Sequence, residues 1–64
     1  MTRDQFLKEL RKFARKNGLD LQIDRKLGKG SHYRVRLGDR VTTIKSGELS
    51  PGYVRLIRKQ LGIE

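Results

Sequence analysis

Tyr33-Arg34-Val35-Arg36-Leu37-Gly38-Asp39-Arg40-Val41-Thr42-Thr43-Ile44-Lys45 is the stretch that decides the fold. Tyr33, Val35 and Leu37 alternate with His32, Arg34 and Arg36, the period-2 signature of a strand with one buried and one solvated face. Gly38-Asp39 reads as a tight hairpin turn, and Arg40 to Lys45 continues as a further strand. Upstream, Leu19, Leu21 and Ile23 alternate with Asp20, Gln22 and Asp24, which predicts a strand from Leu19. Leu27-Gly28-Lys29-Gly30-Ser31 joins that strand to the hairpin and leads into His32, the only histidine. The expectation is a three-stranded antiparallel meander.

Helical signals flank it. Thr2 followed by Gln5 forms a capping-box pattern, and Asp4 suits the positive end of a helix. Phe6, Leu7, Leu10, Phe13 and Ala14 recur at helical spacing, and Asn17-Gly18 closes the segment. Lys8, Arg11, Lys12 and Arg15 repeat on the opposite side, as a solvated face or one that meets phosphates. After a loop over 45–49, Ser50 caps a second helix with Pro51 at its first position. Tyr53, Val54, Ile57 and Leu61 give it an apolar face; Gly62 ends it, with Ile63 as the hydrophobic partner of the C-cap.

Two amphipathic helices need one apolar surface, and the sheet offers it through Leu21, Ile23, Tyr33 and Val35, leaving its other face to solvent. The fold class is therefore α+β, in the order α-β-β-β-α, with two helices on one face of a three-stranded antiparallel sheet. That architecture resembles double-stranded-RNA-binding domains.

With 64 residues the chain is expected to be a single domain, burying only about 60% of the surface its unfolded form exposes. Cysteine is absent and histidine occurs once, so neither disulfides nor the usual zinc ligand sets are available. No metal and no small-molecule cofactor is expected. Met1 is followed by Thr2-Arg3-Asp4 rather than an apolar leader, and no apolar run approaches the ~20 residues of a membrane span. The expectation is a soluble, cytoplasmic protein without a membrane partner. Sixteen Lys and Arg against seven Asp and Glu give a net charge of +9 and a pI near 10.7. So strong a positive field steers polyanions to the surface, and nucleic acid is the first partner it suggests.

Register follows from the turns. A three-residue loop at Gly28-Lys29-Gly30 sets Lys26 opposite His32, Asp24 opposite Arg34, Ile23 opposite Val35 and Leu21 opposite Leu37. A two-residue turn at Gly38-Asp39 sets Leu37 against Arg40, Tyr33 against Ile44 and His32 against Lys45. His32 then lies on the open face, flanked by Lys26 and Lys45, with Arg34 and Arg36 continuing its row. An imidazole can exchange a proton near neutral pH, and lysines can offset charge developing on phosphorus. The residues alone leave a second reading open, a surface histidine that contributes one hydrogen bond to its loop. Gly28-Lys29-Gly30 likewise is either a phosphate cradle of backbone N–H groups or a hairpin needing positive φ angles.

Lys29-Gly30-Ser31-His32-Tyr33, Gly47-Glu48-Leu49-Ser50-Pro51-Gly52-Tyr53 and Ile57-Arg58-Lys59-Gln60-Leu61-Gly62-Ile63 are similar to segments of the HicA (YcfA-like) toxins of bacterial toxin–antitoxin pairs. The resemblance spans nearly the whole chain and implies one HicA-like toxin domain over residues 1–64. It implies ribonuclease activity on mRNA, a HicB-type antitoxin that blocks the active site, and His32 as the catalytic histidine. Lys26, Lys29, Gly30, Ser31, Arg34, Arg36 and Lys45 are then the candidate RNA- and phosphate-binding residues, with no metal ligand. Many members carry a second histidine and a proline where this chain has Ile44 and Ser46, and a smaller residue at the position of Tyr53. The alternatives are a non-catalytic RNA-binding module of the same fold and a small protein that docks an acidic partner.

Overall fold

A computed structural model describes residues 1–25 and 32–63. Its elements run α1 (Arg3–Asn17), β1 (Leu21–Asp24), β2 (Tyr33–Leu37), β3 (Arg40–Ile44) and α2 (Pro51–Gln60). The strands form one antiparallel sheet in the order β1-β2-β3. This is the expected α-β-β-β-α architecture.

The caps explain where the helices begin and end. Thr2 Oγ1 accepts from the Gln5 N–H at 3.2 Å, and Gln5 Oε1 accepts from the Thr2 N–H at 2.8 Å, so the capping box is complete. At the other end Gly18 adopts φ 65°, and the Leu19 N–H donates to the Ala14 carbonyl at 2.8 Å. That bond corrects the predicted start of β1. Leu19 belongs to the helix terminus, 41% exposed, and the strand begins two residues later at Leu21. Ser50 Oγ accepts from the Tyr53 N–H to start α2. At its end the Ile63 N–H reaches the Arg58 carbonyl at 2.9 Å, with Gly62 at φ 74°. A Cβ on Gly62 would meet only the flexible end of the Arg40 side chain, so it is the positive φ that calls for glycine there.

Register within the ladders is as the turns dictate. Leu21 pairs with Leu37, Ile23 with Val35 and Asp24 with Arg34; Tyr33 pairs with Ile44 and Leu37 with Arg40. The expected pairing of Lys26 with His32 lies outside the described residues. β3 ends at Ile44, one residue before the predicted Lys45, whose N–H donates instead to the Tyr53 hydroxyl.

Phe6, Leu7, Leu10 and Ala14 of α1, Val35 and Leu37 of β2, Ile44 of β3, and Ile57 and Leu61 near α2 make the core. Leu49 joins them, 1% exposed, although its segment reads as loop. Its N–H donates to the Met1 carbonyl at 2.7 Å, and the Arg3 N–H to the Gly47 carbonyl at 3.2 Å, so this segment pairs with the start of α1. Thr42 is buried too, its hydroxyl donating to Gln60 Oε1. Glu9 and Arg58 join the two helices at 3.0 Å across half-exposed surface, a pair contributing about 0–1 kcal/mol.

Removing a buried leucine costs about 2–5 kcal/mol, against a total stability of only about 0.05–0.15 kcal/mol per residue. Leu49→Ala therefore lowers the urea midpoint steeply and leaves part of the population unfolded in buffer. A shift under about 0.5 kcal/mol would place Leu49 outside the core, contrary to its burial. Thr2→Ala, which removes the capping hydroxyl, lowers stability by about 1 kcal/mol in the same titration.

Candidate functional site

Alternation along the strands divides the sheet. Val35 and Leu37 turn toward the helices, so Arg34 and Arg36 turn away and are exposed. Arg36 stands between Gln22 and Val41, and Arg34 between Asp24 and Thr43, across the three strands. A shallow hollow of about 160 Å³ lies over Gln22, Asp24, Arg34, Arg36 and Val41. Among the described residues nothing encloses this face, which suits an extended polymer better than a small molecule.

His32 is exposed and immediately precedes the central strand. Arg34 and Arg36 are two and four positions further on, and they stand about 7 Å apart on one side of β2. The next residue, Tyr33, is held from two directions. The Arg3 guanidinium carbon lies 3.5 Å from its ring centroid and that of Arg25 lies 5.6 Å away. Two cation–π contacts, one from the start of α1 and one from the end of β1, thus anchor the backbone beside the histidine.

The predicted cations do not all converge on His32. The Arg36 Nε–H donates to the Gly38 carbonyl at 3.0 Å, which ties it to the hairpin turn. Lys45 follows β3 and is drawn toward α2: its N–H donates to Tyr53 Oη at 3.1 Å and its Nζ lies 4.9 Å from that ring's centroid. Arg34 is the described cation nearest along the strand, two positions from His32. Lys26, Lys29, Gly30 and Ser31 lie outside the described residues.

Arg3, Arg25, Tyr33 and Tyr53 are the positioning residues that sequence reading missed. Arg3 and Tyr33 are thirty positions apart, so no periodicity connects them; only the docking of α1 does. Tyr53 reads as one more apolar position on α2, and its hydroxyl contacts to β3 become visible only with the helix in place.

An imidazole beside a row of guanidinium groups can hold a phosphodiester and exchange a proton with it. Among the described residues, no three of His, Asp and Glu come together to hold a metal ion. No helix among them is long and apolar enough to cross a membrane.

Residues 7–63 match the family model described as HicA toxin of bacterial toxin–antitoxin. No curated protein and no solved structure matches the chain. A family match over nearly the full length, on the element order and core described above, settles its membership: this chain belongs to the HicA toxins of bacterial toxin–antitoxin systems.

Proposed function

We propose that residues 1–64 form a single toxin domain that cleaves mRNA without a metal ion and is held in check by a HicB-type antitoxin. The observation that carries this reading is the exposed His32 immediately before the central strand, whose open side carries Arg34 and Arg36.

In the proposed reaction the RNA strand lies across the open face. His32 accepts the proton of a 2′-hydroxyl as its oxygen attacks the adjacent phosphorus. The 2′-O–P bond forms, the 5′-O–P bond breaks, and the departing 5′-oxygen takes a proton from solvent or from a neighbouring acid. The products are a 2′,3′-cyclic phosphate and a 5′-hydroxyl. Lys26 and Lys29, with the backbone of Gly30 and the hydroxyl of Ser31, bind the phosphate and offset its growing charge, and Lys45, turned toward Tyr53, adds to the positive field around it. Arg34 and Arg36 hold the flanking strand; Arg36 keeps donors for this beyond the one given to Gly38. DNA lacks the 2′-hydroxyl and is not cleaved.

One observation favours a second reading, a non-catalytic RNA-binding module. Ile44, where many members have a second histidine, is fully buried in the core, so that position supplies no proton-transfer group.

The two readings separate in one assay. Wild-type protein cuts a generic mRNA in EDTA, while His32→Ala loses at least about 100-fold in rate and keeps its RNA affinity. Equal cutting by both would move the chemistry away from His32, and binding without cutting by either would leave the module reading. The arginine row has its own test. Arg34→Gln lowers the slope of log affinity for single-stranded RNA against log salt by about 0.7, and an unchanged slope removes Arg34 from the RNA path.

A further inference from the structure

The outer edge of β3 has properties that RNA binding does not use. The sheet order leaves β3 with a neighbour on one side only. The Tyr53 hydroxyl accepts from the Lys45 N–H at 3.1 Å and donates to the Thr43 carbonyl at 3.4 Å, so these groups point away from β2. By the alternation of an antiparallel ladder, the Val41 N–H and C=O and the Thr43 N–H point the same way. The two-residue turn paired at Leu37 and Arg40 requires the same parity. No strand lies beyond these groups among the described residues.

Natural sheets blunt such edges with charge, proline or cover. Here the middle of the strand is Val41-Thr42-Thr43, without charge or proline, and Tyr53 covers only the far end. Apolar surface flanks the edge on both sides. Val41 is 44% exposed on the open face and Leu56 is 50% exposed on α2. Leu56 lies between Tyr53, which reaches Thr43, and Gln60, which reaches Thr42; spacings of three and four put all three on one flank of the helix. An open trough of about 710 Å³, lined by Arg34, Val41, Thr42, Thr43 and Gln60, runs along this edge. An extended segment laid there would set alternate side chains against Leu56 and Val41 while its main chain met Val41 and Thr43.

The charges select the occupant. Arg40 and Lys45 bracket the edge, Arg34 borders it, and the chain carries +9. A second copy would bring the same cations to the same place, whereas an acidic strand would neutralise them. We propose that the outer edge of β3 receives an acidic extended segment of the antitoxin as a fourth strand, with Val41 and Thr43 supplying the main-chain ladder and Tyr53 ending it. Side chains on the added strand would stand about 10 Å from the Arg34 row, so docking places negative charge beside the face that RNA needs. The proposal rests on the chain having a protein antitoxin and stands independently of cleavage at His32.

The test is an amide NMR titration of the full chain with a capped eight-residue peptide of alternating Glu and Val. The expected result is binding in which the Val41 and Thr43 amides shift and gain at least about tenfold protection from hydrogen exchange, while the Lys45 amide does not. N-methylation of one alternate set of peptide residues abolishes binding, methylation of the other set leaves it intact, and replacing Glu by Lys weakens it at least about tenfold. Tyr53→Phe, which releases the Lys45 N–H, extends protection to that amide. His32→Ala leaves every one of these readouts unchanged, which separates this proposal from the ribonuclease reading. Absent binding, shifts confined to the basic face of α1, or equal tolerance of both methylated sets would overturn it. So would protection of Val41 and Thr43 by a uridine oligonucleotide, or by dimerisation of the chain without peptide.

Discussion

Pairing of the central strand with both neighbours forces Val35 and Leu37 against the helices and, by the same geometry, puts Arg34 and Arg36 on the other side. A slip of one residue would exchange the two sets, burying guanidinium groups and exposing the core. The core and the basic face are thus one constraint seen from opposite sides of the sheet. Val35 and Ile44 are fully buried, and moving either would displace the row that follows His32. In a chain this small, stability and the candidate site are not separable.

Specific polar contacts tie the two layers together. Arg3 holds Tyr33 from α1, and Tyr53 holds the end of β3 from α2. Each tie uses a polar or charged group at the rim of the core, where the core has run out of apolar residues. These same rim contacts sit next to the residues proposed to meet RNA. Among the described residues the sheet takes its rigidity from the helical layer behind it and presents its charge on the face in front.

The two exposed surfaces of the sheet offer different recognition. The face presents cations at strand spacing, which a polyphosphate can follow. The edge presents main-chain donors and acceptors between Val41 and Leu56, which only another polypeptide can match in register. Because β3 borders both, a protein partner on the edge and RNA on the face would share the electrostatic neighbourhood of Arg34 and Lys45.

Much of this was legible before folding. The alternation of Tyr33 to Leu37, the Gly38-Asp39 turn and the Thr2 and Ser50 caps are local signals, and local sterics and hydrogen bonding decide them within a few residues. They determined the element order, the register and the face on which Arg34 and Arg36 stand. The burial of Leu49, the loss of Leu19 from the sheet, the stacking of Arg3 on Tyr33 and the turning of Lys45 toward Tyr53 were decided only by the tertiary structure. Leu19 yields to a helix-closing bond with Ala14, and Leu49 is buried by pairing with a segment nearly fifty positions away. Such contacts depend on how the helices dock across the sheet, and that docking is a property of the whole core rather than of any stretch within it.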